Sequence, residues 1–160
     1  MIKVALVEYP SALKSALFGL EDMLLMANHV AAEAGGDESF QPQHLHVGNI
    51  SSFLSDQFDY IFLPPSMLCD YYIQPEQALL NWLVNQREGG AVVCSACAGA
   101  FIIAAAGLAN QRTVTTHWGL ADQFKACFPS IDFRTMVSPF GNIAKFVPSP
   151  IESKNSLMVV

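Results

Sequence analysis

Ala91-Val92-Val93-Cys94-Ser95-Ala96-Cys97-Ala98-Gly99-Ala100-Phe101-Ile102-Ile103-Ala104-Ala105-Ala106 is the run from which the rest of the chain takes its meaning. Ala91 to Cys94 reads as an apolar strand. Ala98 to Ala106 reads as a helix of small residues that follows with almost no loop between. From Ala91 to Ala109 nineteen residues pass without a charge, which is the length of a membrane span. Ser95, Gly99, Gly107, Cys94 and Cys97 interrupt that stretch, however, and no Trp or Tyr stands at either end to sit in an interface. A buried strand, a tight turn and a buried helix fit it better.

Strands and helices alternate outward from this run. Ile2 to Val7 is a β-rich run ended by Glu8-Tyr9-Pro10. From Leu13 to Ala34 apolar residues recur at helical spacing (Leu13, Ala16, Leu17, Leu20, Leu24, Ala27, Val30, Ala31) until Gly35-Gly36 stops them. His44 to Val47 is a second strand, and Tyr60 to Leu63 a third, closed by Pro64-Pro65. Pro75 opens a helix at its first turn, with Leu79, Leu80, Leu83 and Val84 on one face and Gly89-Gly90 at its end. Thr113 to Thr115 suggests another short strand, and Gly119 to Phe128 another helix. Strands apolar on both faces, alternating with helices, predict an α/β fold with a mostly parallel sheet covered on both sides. Residues 1–138 read as one domain. Residues 139–160, broken by Pro139, Pro148 and Pro150, read as an irregular tail or as a chain cut short of its last strand and helix.

Composition agrees. The chain has 160 residues, of which 52% are hydrophobic and 14% charged, against a typical charged share of about 25%. Such a chain can bury a core, so disorder is excluded. Eight Lys and Arg against fourteen Asp and Glu give a net charge of −6, which is wrong for gripping a phosphate backbone unaided. The mean hydropathy of +0.33 follows from a sheet buried on both faces. Lys3 and the short apolar run behind it make no signal peptide, which points to the cytoplasm, where the four Cys are expected as thiols.

Cys97 stands at the bend between strand and helix, and small neighbours there allow a strained backbone and a close strand–helix approach. At a helix N-terminus, free N–H groups favour thiolate over thiol, and the N–H of Ala98 would point at any oxyanion formed. The alternative is that Cys97 is a small buried hydrophobe. Cys94 and Cys97 have C-x-x-C spacing, yet Cys69 and Cys127 stand alone and His44 and His46 lack a partner motif, so no metal site is expected. A dithiol is disfavoured too, because Cys94 closes an apolar strand. Twenty residues after Cys97 comes Thr115-Thr116-His117-Trp118. His117 is either structural, or returns to the same end of the sheet as Cys97 and completes an activated thiol.

Together these residues resemble the ThiJ/PfpI group of the class I glutamine amidotransferase-like superfamily, and within it the N-terminal domain of AraC-type transcriptional regulators. Cys97-Ala98-Gly99-Ala100-Phe101, Ala106-Gly107-Leu108 and Thr115-Thr116-His117-Trp118 are similar to that group's Cys-Thr-Gly-Ala-Phe, Ala-Gly-Leu-Leu and Thr-Thr-His-Trp. Gly19-Leu20-Glu21-Asp22-Met23 with Ala27-Asn28 resembles its Gly-Pro-x-Glu-Val-Phe-x-x-Ala-Asn, and the likeness spans roughly residues 2–135. The resemblance implies a flavodoxin-like three-layer sandwich, commonly dimeric, with Cys97 as the elbow cysteine and His117 as its partner. It also implies three departures, two from the family's enzymes and one from its regulators. Ala16 falls about where they carry a carboxylate, with Glu21 and Asp22 about one turn late. Pro64-Pro65-Ser66 replaces the Gly-Gly loop whose N–H completes an oxyanion hole, and proline has no N–H. The regulators' helix-turn-helix pair is not in this chain.

The expectation is therefore a non-catalytic, small-molecule-sensing domain of an AraC-like regulator, without a cofactor. Ser66, Cys97, Ala98, His117 and Trp118 would line its ligand site. The effector is a small polar or electrophilic molecule, a homodimer through an apolar helix face is expected, and DNA would be reached only through the missing C-terminal part. The competing expectation is a Cys-dependent hydrolase, hydratase or glyoxalase-like enzyme with Cys97 as nucleophile and His117 as base. Loss of one oxyanion donor alone typically costs about 2.7–4 kcal/mol, which favours the sensor.

Overall fold

The computed structural model describes residues 1–37, 39–66, 70–110, 112–134 and, by backbone, 158–159. Strand β1 (Ile2–Glu8) buries four consecutive residues, Val4 to Val7, as a strand covered on both faces must. Helix α1 (Lys14–Glu33) returns the chain to β2 (Phe40–His46), parallel to β1 and at the sheet edge. The chain then crosses to the other side of β1 as β3 (Tyr60–Leu63), and α2 (Gln77–Glu88) leads to β4 (Val92–Ser95). Helix α3 (Gly99–Ala105) follows at once. A second, two-stranded parallel sheet pairs β5 (Thr113–Val114) with β6 (Asp132–Phe133), with α4 (Ala121–Cys127) between them. Strand β7 (Met158–Val159) lies parallel beside β4, giving a main sheet ordered β2-β1-β3-β4-β7. This is the parallel α/β sandwich the sequence predicts.

Right-handed crossovers running in opposite directions from β1 put helices on opposite faces. The two apolar clusters follow that division. Val4 and Leu6 pack on Leu17, Leu20 and Leu24 of α1. Ala5, Val7, Ile61, Leu63 and Val93 pack on the other face against Leu79, Trp82 and Leu83 of α2 and Phe101, Ile102 and Ile103 of α3. The strand order reverses between β1 and β3, and at such a switch point the crevice beyond the strands' carboxyl ends is open to a ligand. The loops after β1, β3 and β4 converge there.

Two expectations need correction. Strand β2 begins at Phe40 rather than His44 and ends before Val47, which enters a 3-10 turn (Val47–Phe53). Its Phe-Gln-Pro-Gln start is too polar to read as a strand, but an edge strand tolerates both polarity and Pro42. Pro75 precedes the N-cap Glu76 of α2 instead of opening its first turn. The short strand expected at Thr113 to Thr115 is present as β5 and pairs with β6. Within the stretch read as an irregular tail or as cut short of a last strand and helix, Met158–Val159 pairs with β4, a ladder that suits these apolar residues. The rest of 139–160 lies outside the described residues.

Candidate functional site

Cys97 has φ +53, a left-handed conformation that non-glycine residues rarely adopt, and so the bend at this residue is strained. Two hydrogen bonds and one close approach hold it. Ala96 N–H donates to the Leu63 carbonyl at 3.0 Å, tying the bend to β3. Thr116 Oγ1, fully buried, donates to the Cys97 carbonyl at 2.6 Å. Gly99 lets α3 start directly over the strands: a Cβ there would stand 2.6 Å from the Leu63 carbonyl oxygen and 2.9 Å from Ser95 Cβ. The small residues around the thiol are therefore required by contact distance. Strain at a residue that the surroundings over-determine is a mark of functional sites.

The thiol is half-buried, and the backbone N–H groups of Ala98 and His117 act on it to favour its charged form. Burial outweighs them and pushes the Cys97 thiol above its ordinary range. This corrects the expectation of a favoured thiolate: α3 is only seven residues long, and desolvation of the charged form is the larger effect. Cys94, buried at the end of the apolar strand as expected, is pushed up further, to about 11.

Cys97 and Ala98 share the elbow, and His117 is tied to it through its neighbour Thr116, whose hydroxyl bonds to the Cys97 carbonyl. The His117 ring is exposed; its Nδ1 accepts from Gly119 N–H at 3.2 Å, and the ring lies against the Trp118 indole with centroids 5.1 Å apart. Trp118 is 61% exposed. Ser66 is buried and reaches the same edge of the sheet, yet its hydroxyl donates to Ser11 O at 3.2 Å. The rest of its loop is engaged likewise: Tyr9 OH donates to the Pro64 carbonyl and Leu13 N–H to the Pro65 carbonyl. Ser66 thus belongs to a clamp between the loops after β1 and β3. On α1, Ala16 carries no acid, and Glu21 is paired with His44 Nε2 at 3.0 Å. Cys69 lies outside the described residues.

Thr116 is a site residue whose role the sequence reading missed. It stood inside Thr115-Thr116-His117-Trp118, and a Thr beside a candidate base gives no sign that it will hold the nucleophile's own carbonyl.

A doubly wound parallel sheet with a cysteine on a strained strand-to-helix elbow at its switch-point edge defines a class of α/β sandwich proteins. The DJ-1/PfpI family model matches residues 34–135, and the chain belongs to that family. Among solved structures, an AraC family transcriptional regulator from Pseudomonas putida is similar at 14% identity and a TM-score of 0.67, over 86% of this chain and 77% of that one. A proposed transcriptional regulator of Vibrio parahaemolyticus is similar at 18% identity and 0.69, over 83% and 75%. Oxidized Toxoplasma gondii DJ-1 is similar at 18% and 0.63, over 87% and 83%. At these identities the likeness is one of fold. No curated protein sequence matches the chain. Among the described residues no helix is long and apolar enough to cross a membrane.

Proposed function

We propose that this domain senses a small molecule at the Cys97 elbow without turning it over, as the effector-binding part of an AraC-like regulator. One observation carries the reading: the thiol is kept protonated by burial, while the His117 ring is engaged with Gly119 N–H and Trp118. A nucleophile needs a lowered pKa or a base within hydrogen-bond reach. Ala16 and the Pro64-Pro65 loop support it further, since the first brings no carboxylate and the second no N–H. Ser66, Cys97, Ala98, His117 and Trp118 are the proposed ligand residues, with Ser66 acting through the clamp. DNA contact would belong to a separate helix-turn-helix part.

The second reading, a cysteine-dependent hydrolase or hydratase, has one observation in its favour. Cys97 stands at φ +53 on a sharp strand-to-helix turn, the strained geometry that exposes a nucleophile on an elbow. A thermal-shift screen against small polar and electrophilic metabolites, run beside product assays on amides, aldehydes and isonitriles, separates the two. The sensor reading expects stabilisation by several degrees with no turnover. Steady product release that disappears in Cys97→Ala overturns it.

A homodimer is part of the proposal, and we place the second copy on the outer flank of α1. Gly19, Met23, Met26 and Val30 share that flank at helical spacing, and the three larger side chains are 68%, 63% and 56% exposed. Single exposed apolar residues need no partner, but a continuous strip along a helix does.

A further inference from the structure

We infer that the paired rings of Trp118 and His117 are a stacking platform for a flat aromatic or conjugated group, so that the ligand of the Cys97 site carries such a group beside the end that meets the thiol. The inference rests on the site proposed above and adds the chemical class of its ligand.

Trp118 leaves 61% of its surface in water beside a half-buried thiol. Large exposed aromatic surface suits ligand recognition, because an indole face gains both apolar burial and offset stacking from a flat partner. The rings are also held in place before any ligand arrives. The Gly119 N–H bond to Nδ1, 3.2 Å long, fixes the imidazole, and the indole lies at 36° to it. Behind them Leu120 packs on the core and Ala121 and Phe124 of α4 are buried, so the 3-10 turn (Trp118–Leu120) that bears the indole is anchored. A platform ordered in advance loses little conformational freedom on binding. The link to the elbow is short: Thr116, the residue before His117, donates its hydroxyl to the Cys97 carbonyl at 2.6 Å, so the ring pair begins one residue from a side chain that touches the elbow.

Alkylation of the intact protein by N-phenylmaleimide and N-ethylmaleimide tests this, read peptide by peptide by mass spectrometry. In each reaction the thiol sulfur adds across the ring C=C bond and its proton ends on the neighbouring carbon, so the reagents differ only in the flat phenyl group. Exposed Cys127 on α4 serves as the internal reference. We expect the phenyl-to-ethyl rate ratio at Cys97 to exceed that at Cys127 by roughly three- to tenfold, the range of one aromatic stacking contact. Trp118→Ala should bring the two ratios together, and Trp118→Phe should keep most of the difference. Equal ratios in the unaltered protein overturn the platform, as does a difference that survives Trp118→Ala. A Cys97 that neither reagent reaches overturns it too, since a second copy or another segment would then cover the rings. None of these outcomes depends on whether the site senses or turns over its ligand, so failure here is distinct from failure of the sensor reading.

Discussion

At Gly99 a methyl group would meet the Leu63 carbonyl oxygen at 2.6 Å, and neither β3 nor the elbow can give way without disturbing Cys97. Gly99→Ala is therefore expected to destabilise the fold by about 1–3 kcal/mol, read as a fall in the urea midpoint. Thr116→Val keeps the shape and removes the donor to the Cys97 carbonyl. A loss of about 1–2 kcal/mol is expected, together with a changed alkylation rate at Cys97, because the strained bend loses one of its three holds. The thiol itself gives a pH test. Its folded value lies above the ordinary range, so its iodoacetamide reaction should reach half-maximal rate at higher pH than a free cysteine's. A half-maximal point near neutrality would favour the enzyme reading instead. Sequence alone placed Cys97 on a bend and expected small neighbours, and both follow from local spacing. The direction of the pKa shift does not: it depends on burial by residues distant in the chain.

Helix α1 shows how a motif can be legible before its meaning is. Asn28, at the end of the stretch resembling the regulators' first helix, donates to and accepts from the backbone of Phe40, both at 2.7 Å. Glu21 meets His44 at 3.0 Å. One flank of α1 thus docks on β2 through its polar residues, and the motif is accounted for by the start of an edge strand rather than by the thiol. Asn28→Ala should cost about 1–3 kcal/mol in urea unfolding, because it orphans two backbone groups. The other flank carries the exposed methionines. Met23→Glu with Met26→Glu should leave the melting temperature within a few degrees and convert a dimer to a monomer by light scattering. An unaltered protein that is already monomeric would refute the placement. Periodicity located α1 within a residue at each end, whereas β2 was half missed, since Phe40 to Gln43 has no apolar alternation and is a strand only because β1 pairs with it.

Across the whole molecule the buried Cys94 thiol and the half-buried Cys97 thiol act in one direction. Cys94 and Cys97 both have raised folded values, so they contribute stability that is complete below the ordinary thiol range and is lost as pH rises through the folded values. For Cys94 that window runs from 9.0 to about 11. Stability should fall across it by an amount on the order of 2 kcal/mol, and Cys94→Ala should flatten the decline. The parallel sheet was readable because strands buried on both faces are continuously apolar, as in Val4 to Val7. The fifth strand was not, since two residues at Met158–Val159 gain strand character only from β4 beside them. The molecule's two tryptophans occupy opposite environments, Trp82 at 1% exposure inside the core and Trp118 at 61% beside the elbow. Their emission therefore separates by colour and by access to soluble quenchers: the blue, shielded component tracks unfolding, and the red, quenchable one would report occupancy of the proposed site without any added label.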